Sequence, residues 1–185
     1  MYPCVNPGGS RVVVGVSGSA GSLPVVRRAL ELARSNEVPL LAVLAWVPPG
    51  GDLAERRCPS TVLRRVWADA ARKRLLDAFG AACGGVPSDL DIRLVVIRGE
   101  PGVVLVDVAS SATDILVIGA GQRGTLSRIW HGRVSRYCVA HARCPVLAVP
   151  HPASARQLGL GAGTWTWRHR EVTVDEALSD WHSAA

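Results

Sequence analysis

Five short, nearly continuous apolar runs punctuate the chain, and a stretch with helical periodicity separates each from the next. The runs cover residues 11–16 (RVVVGV), 39–47 (PLLAVLAWV), 91–98 (DIRLVVIR), 114–119 (DILVIG) and 145–150 (PVLAVP). Strands this uniformly apolar must be covered on both faces, and their alternation with helices implies a parallel sheet between two helical layers. The fold class read from this order is α/β, a doubly wound five-stranded parallel sheet. In such sheets ligands bind outside the carboxyl ends of the strands, where the strand order reverses.

The intervening segments carry their own signals. Residues 23–35 repeat Val26, Ala29, Leu30 and Ala33 along one face, with Arg27, Arg28, Glu31 and Arg34 opposite. Ser60 caps a second helix over 60–82, with Leu63, Trp67, Ala71 and Leu75 expected inward. Pro101 suits the first turn of a third helix over 101–112. A fourth, over 133–142, puts Val134, Tyr137, Cys138 and His141 on one face. Residues 1–10 form an N-terminal extension, and a small-residue run leads into the tail at 151–185. There Trp165, Trp167 and Trp181 are expected to cover an apolar surface or a partner subunit, and Thr173 with Glu176 forms a capping box.

Charge and cysteine usage narrow the function classes. The formal net charge is +6, but the arginines scatter over helices and form no stripe with interleaved aromatics, which argues against nucleic acid. The cluster of Arg64, Arg65, Arg72, Lys73 and Arg74, with Asp69 and Asp77 interspersed, reads as a solvated face with i,i+4 pairing. No apolar run approaches the ~20 residues needed to span a bilayer. The start of the chain, MYPCVNPGGS, has neither the basic nor the apolar region of a secretion signal. Five cysteines without a Cys-x-x-Cys pair read as reduced thiols, with Cys83, Cys138 and Cys144 in apolar or helical surroundings. The expectation is a cytoplasmic protein.

Residues 114–150 concentrate the chemistry: a buried strand, a glycine loop, a second glycine, a helix and a closing strand. A glycine loop between strand end and helix start can cradle phosphate in backbone N–H groups. Gly119, Gly121 and Gly124 also match G-x-G-x-x-G, but that fingerprint needs an acidic residue ~20 positions on, where residues 139–142 are Val-Ala-His-Ala. A nicotinamide dinucleotide is therefore not expected. There is no G-x-x-x-x-G-K-[ST], no metal-spaced His pair and no nucleophile elbow. His131 reads as a surface loop residue and His141 as a core one, and Asp114 lies at the wrong end of its strand to hold a cation. No enzymatic activity is expected, beyond at most weak ATP hydrolysis.

Taken together, residues 11–150 resemble a universal stress protein domain. The strand ending G-V-D-G-S appears as Gly15 to Ser19. The late glycine pattern appears as Gly119-Ala-Gly-Gln122, a nine-residue spacer and Gly132-Arg133-Val134-Ser135, and the domain ends with Cys144-Pro-Val-Leu-Ala-Val-Pro150. The resemblance implies an adenine nucleotide alpha hydrolase-like sheet of order 3-2-1-4-5, a cytoplasmic homodimer through the last strand, and ATP as cofactor. It places Gly119, Gly132, Val134 and Ser135 at the phosphates, and Gly15 and Ala45 where backbone lines the adenosine pocket. Three positions depart: Ser17 stands for Asp, Gln122 for the second glycine and Arg133 for Ser or Thr.

Each departure has a physical consequence. Ser17 keeps a hydrogen bond but not a charge, and neutral hydrogen bonds are worth ~0.5–1.5 kcal/mol against ~1.5–3 with a charged partner. Gln122 puts a side chain where the loop should approach phosphate. Arg133 loses a hydroxyl contact and adds a guanidinium able to pair with phosphate. Two readings follow: a weak adenine nucleotide binder acting as a stress-response regulator through occupancy, or a dimeric scaffold that binds partners without nucleotide.

Overall fold

The computed structural model describes residues 9–19, 21–51, 59–120 and 131–150, with the side chains of 131–133 excepted. Gly121, Gln122 and Gly124, the N-terminal extension up to residue 8, and the Trp-bearing tail lie outside the described residues. Among the described residues the elements follow in the order β1 (Val12–Gly15), α1 (Ser22–Ser35), β2 (Leu40–Trp46), α2 (Thr61–Cys83), β3 (Ile92–Arg98), α3 (Pro101–Val108), β4 (Ile115–Gly119), α4 (His131–His141) and β5 (Val146–Val149). The strands form one sheet in the order β3-β2-β1-β4-β5, every pairing parallel. This is the expected architecture and order.

The two-residue period of a strand explains why these runs are so apolar. Val12 and Val14 enter one hydrophobic cluster with Val26, Ala29 and Leu75 of α1 and α2. Val13, between them, enters the other, with Val104, Leu105 and Cys138 of α3 and α4. β2 and β4 divide the same way: Leu40, Ala42, Leu44 and Val117 face α1 and α2, whereas Leu41, Val43, Leu116 and Ile118 face α3 and α4. β1 sits between β2 and β4, so its valines are fully buried.

Several details differ from the expectation. α3 stops at Val108, short of residue 112, because side-chain oxygens of the next segment compete for backbone donors. Asp114 Oδ2 accepts from Ser111 N–H at 3.3 Å, and Ser111 Oγ lies 2.8 Å from Thr113 Oγ1. Asp114 is buried and faces Arg11 at 3.3 Å, while Arg11 also donates to the Val108 carbonyl at 2.8 Å. The carboxylate therefore fastens the amino end of β4, away from the carboxyl ends of the strands.

On α2, Ser60 caps as expected, accepting from Leu63 N–H at 3.3 Å, but Leu63 is 47% exposed. A helix of 23 residues is about 34 Å long, against about 23 Å for a seven-residue strand, so its first turns overhang the sheet. Trp67 is half-buried and packs at 59° against Trp46, with ring centroids 6.3 Å apart. Lys73 and Asp77 form the expected i,i+4 pair at 2.7 Å.

α4 begins at His131, two residues before the expected start, so His131 belongs to a helix and not to a loop. His141 is exposed, not core. It stacks on Tyr137 with centroids 4.1 Å apart, where the helix C-terminus leaves its ring at the surface. Cys138 and Cys144 are buried as expected, but Cys83 is exposed at the end of α2, its thiol within hydrogen-bond reach of the Phe79 and Gly85 carbonyls. Among the described residues no helix is long and apolar enough to cross a membrane.

Candidate functional site

The carboxyl ends of β1, β2 and β4, with the amino ends of α1, α3 and α4, surround one cavity of about 720 Å³. That size lies within the ~300–1,000 Å³ usual for small-molecule sites. It opens where β1 gives way to β4 on one side and β2 on the other, which is the switch point expected from the strand order.

The residues predicted from sequence converge here. Gly15, Ser17, Ala45, Gly119 and Val134 all line the cavity. Gly15 leaves room for α3: a Cβ there would sit 2.8 Å from Leu105 Cδ1, so the leucine would have to shift. Gly132 and Arg133 lie in the first turn of α4, and Ser135 is half-buried one turn into that helix, outside the lining of the cavity among the described residues. Gln122 lies outside the described residues.

The floor is apolar. Val43 and Ala45 of β2, Ile118 of β4 and Val149 of β5 contribute it, and Tyr137 of α4 closes one side. Tyr137 rests on Gly102, where a Cβ would be 2.9 Å from its ring. Among the described lining residues Glu100 is the sole charged side chain. None of the described residues forms a group of three His, Cys, Asp or Glu suited to a metal ion.

The polar side of the cavity is a cluster of hydroxyls between β1 and α1. Ser17 Oγ lies 2.8 Å from Ser19 Oγ and 2.9 Å from Ser22 Oγ, and Ser17 N–H donates to Ser22 Oγ at 3.1 Å. The turn holding them needs Gly18 at φ +75°, with Arg74 of α2 packed over it. Gly21 begins α1 without a side-chain cap, so the backbone N–H groups of the first turn lie beside these hydroxyls.

Sequence reasoning missed Ser22, Glu100, Gly102, Val103 and Val149 as lining residues, and used Ser19 only as part of a turn. A usable signal existed for two of them, Glu100 and Gly102: Glu-Pro-Gly at the β3–α3 junction marks a helix start at a strand's carboxyl end. Nothing local marks Ser22.

Comparison with known proteins agrees with this fold. The sequence model described as "Universal stress protein family" matches residues 9–150. A universal stress protein of Mycobacterium tuberculosis is 30% identical over 156 residues, covering 80% of this chain and 51% of that protein. The chain thus spans about half the length of the curated relatives it matches. A universal stress protein of Synechocystis is 37% identical over 65 residues, or 35% of this chain and 60% of that protein. The solved universal stress protein of Archaeoglobus fulgidus shares the fold, with a TM-score of 0.50, 21% identity, and coverage of 76% of this chain and 98% of that one.

Proposed function

The chain belongs to the universal stress protein family, and from that premise we propose that its cleft holds an adenine nucleotide, ATP foremost, as the signal of a stress-response regulator. The observation that carries this reading is the convergence of Gly15, Ser17, Ala45, Gly119 and Val134 on one cavity of nucleotide size. The apolar floor around Val43, Ala45 and Ile118 suits a base. Backbone groups at Gly119 and the first turn of α4, through Gly132 and Arg133, would meet phosphate, where a helix N-terminus favours an anion. Bound ATP would supply a signal of cellular state, with occupancy and not turnover as the output.

The protein would act in the cytoplasm as a homodimer joined through β5, which lies at the sheet edge. A second reading, a partner-binding scaffold without nucleotide, draws on the lining itself: its sole charged side chain among the described residues is the carboxylate of Glu100, which repels phosphate. Titration calorimetry of the purified chain with ATP, ADP and cyclic AMP separates the two. Saturable heat with one site per chain supports the first, and its absence for all three supports the scaffold.

A further inference from the structure

We infer that Ser22, Ser17 and Ser19 form a directed hydroxyl relay, which makes Ser19 the hydroxyl donor presented to a ligand in the cleft. The inference rests on the nucleotide reading of the cleft for its ligand, but its geometry stands apart from that reading. Ser22 is 3% exposed, and its Oγ accepts the Ser17 N–H at 3.1 Å. A hydroxyl has one proton to give. Among the described residues the acceptor within reach of Ser22's proton is Ser17 Oγ, at 2.9 Å. Buried polar groups are almost always satisfied, so Ser22 donates to Ser17.

That direction fixes the next link. Ser17 Oγ, having accepted from Ser22 and lying 3.4 Å from Ser19 N–H, passes its own proton to Ser19 Oγ at 2.8 Å. The bonding capacity of Ser17 is then consumed inside the turn. Ser19 accepts from Ser17 and keeps its proton for whatever occupies the cavity it lines. The cleft therefore offers a neutral donor, and a nucleotide held there, as the proposed function has it, would meet it with an acceptor atom.

A carboxylate at position 17 would reverse this polarity. It has acceptors and no proton, so it would draw the hydroxyls of both Ser22 and Ser19 inward. Ser19 would then face the cavity with lone pairs only. Serine at 17 is thus a change of hydrogen-bond sign at the site, beyond a loss of charge.

Two measurements test the relay. With ATP as probe in titration calorimetry, Ser19→Ala should weaken binding about two- to tenfold in the otherwise native chain, as expected for one neutral hydrogen bond. In the Ser17→Asp background the same substitution should change affinity less than about twofold. Equal losses in both backgrounds, or none in the native one, would overturn the assignment. The second measurement needs no ligand. Proton NMR of the free chain should show a Ser22 hydroxyl proton protected from water exchange and lost on Ser17→Ala, with the Ser19 hydroxyl in fast exchange. A protected Ser19 hydroxyl beside a rapidly exchanging Ser22 overturns the relay. Absent ATP binding with the expected NMR pattern overturns the nucleotide reading and the ligand half of the inference, and leaves the relay's direction established.

Discussion

Tyr137 of α4 lies against the backbone of Gly102 in α3 so closely that a Cβ at residue 102 would sit 2.9 Å from ring carbon Cδ1 and 3.2 Å from Tyr137 Cβ. The clash involves the base of the tyrosine as well as its ring edge, so a rotamer change cannot relieve it. Gly102→Ala should push α4 away from α3 and cost about 1–3 kcal/mol, the usual penalty of overpacking. For a domain this size that is a fall in Tm of roughly 3–10 °C. Because Tyr137 also lines the cleft, ligand affinity should drop with it. A melting curve that superimposes on the native one would show that the helices separate without cost.

At the other end of the sheet, Asp114 is buried against Arg11, at 3.3 Å, and also accepts from Ser111. Asp114→Ala leaves the Arg11 guanidinium without its carboxylate and frees the turn that starts β4. Removal of one member of a buried pair costs about 3–5 kcal/mol. We expect the lower half of that range, since Arg11 retains its bond to the Val108 carbonyl. Urea unfolding of the variant checks it, and nucleotide binding should survive, because this pair lies at the amino ends of the strands.

Burial raises the Cys138 thiol from 9.0 to about 11 and pushes Cys144 in the same direction. A folded state that holds a proton more tightly than the unfolded chain gains stability in full below the unfolded value. That gain disappears as pH rises from 9 to about 11. For Cys138 the loss is on the order of 2–3 kcal/mol across the window. Stability measured at pH 8 and pH 10.5 should fall more steeply in the native chain than in Cys138→Ala. Parallel slopes would show that the thiol remains neutral or that its site admits water.

How much of this was legible follows from the range of the interactions involved. Val12 to Val14 announce a doubly covered strand, because burial on both faces leaves its mark in consecutive residues. The placing of Gly15, Ser17 and Gly119 in one cleft also follows from strand order, once the sheet is parallel. Leu63 was misplaced because a helix's period fixes its inward face but not how far it overhangs the sheet. The end of α3 was missed because Asp114 caps a turn through contacts with Ser111 that compete with helix continuation. Ser22 was invisible as a site residue: its bond to Ser17 depends on the left-handed turn at Gly18, and it sits in the first turn of an ordinary amphipathic helix.

The sheet ends at β5, where Val146, Leu147 and Val149 are half-buried and Ala148 is exposed. Exposed apolar edges are usually paired or covered. Sedimentation velocity should find a dimer that Ala148→Lys dissociates without altering the thermal unfolding of the monomer. A chain that sediments as a monomer both with and without residues 151–185 rules out association through this edge.

If the departures at Ser17, Gln122 and Arg133 are what weaken nucleotide binding, restoring the family pattern should strengthen it. Ser17→Asp gives up the neutral Ser19 donor but supplies a charged acceptor for a ligand N–H or O–H. Hydrogen bonds to a charged partner are worth ~1.5–3 kcal/mol against ~0.5–1.5 for neutral ones, so the exchange is a net gain. Gln122→Gly removes a side chain from the loop and lets backbone approach phosphate. Arg133→Ser has opposing effects: it returns a hydroxyl but discards a cation in the first turn of α4, where the helix dipole already favours an anion. Ser17→Asp with Gln122→Gly should therefore tighten ATP binding at least about tenfold, on the order of 1.4 kcal/mol. Adding Arg133→Ser should add less or reverse part of the gain. Titration calorimetry on the three variants decides the matter. An unchanged affinity in the double variant would mean that the cleft is closed to nucleotide for another reason, Glu100 being the first suspect, and would favour the scaffold.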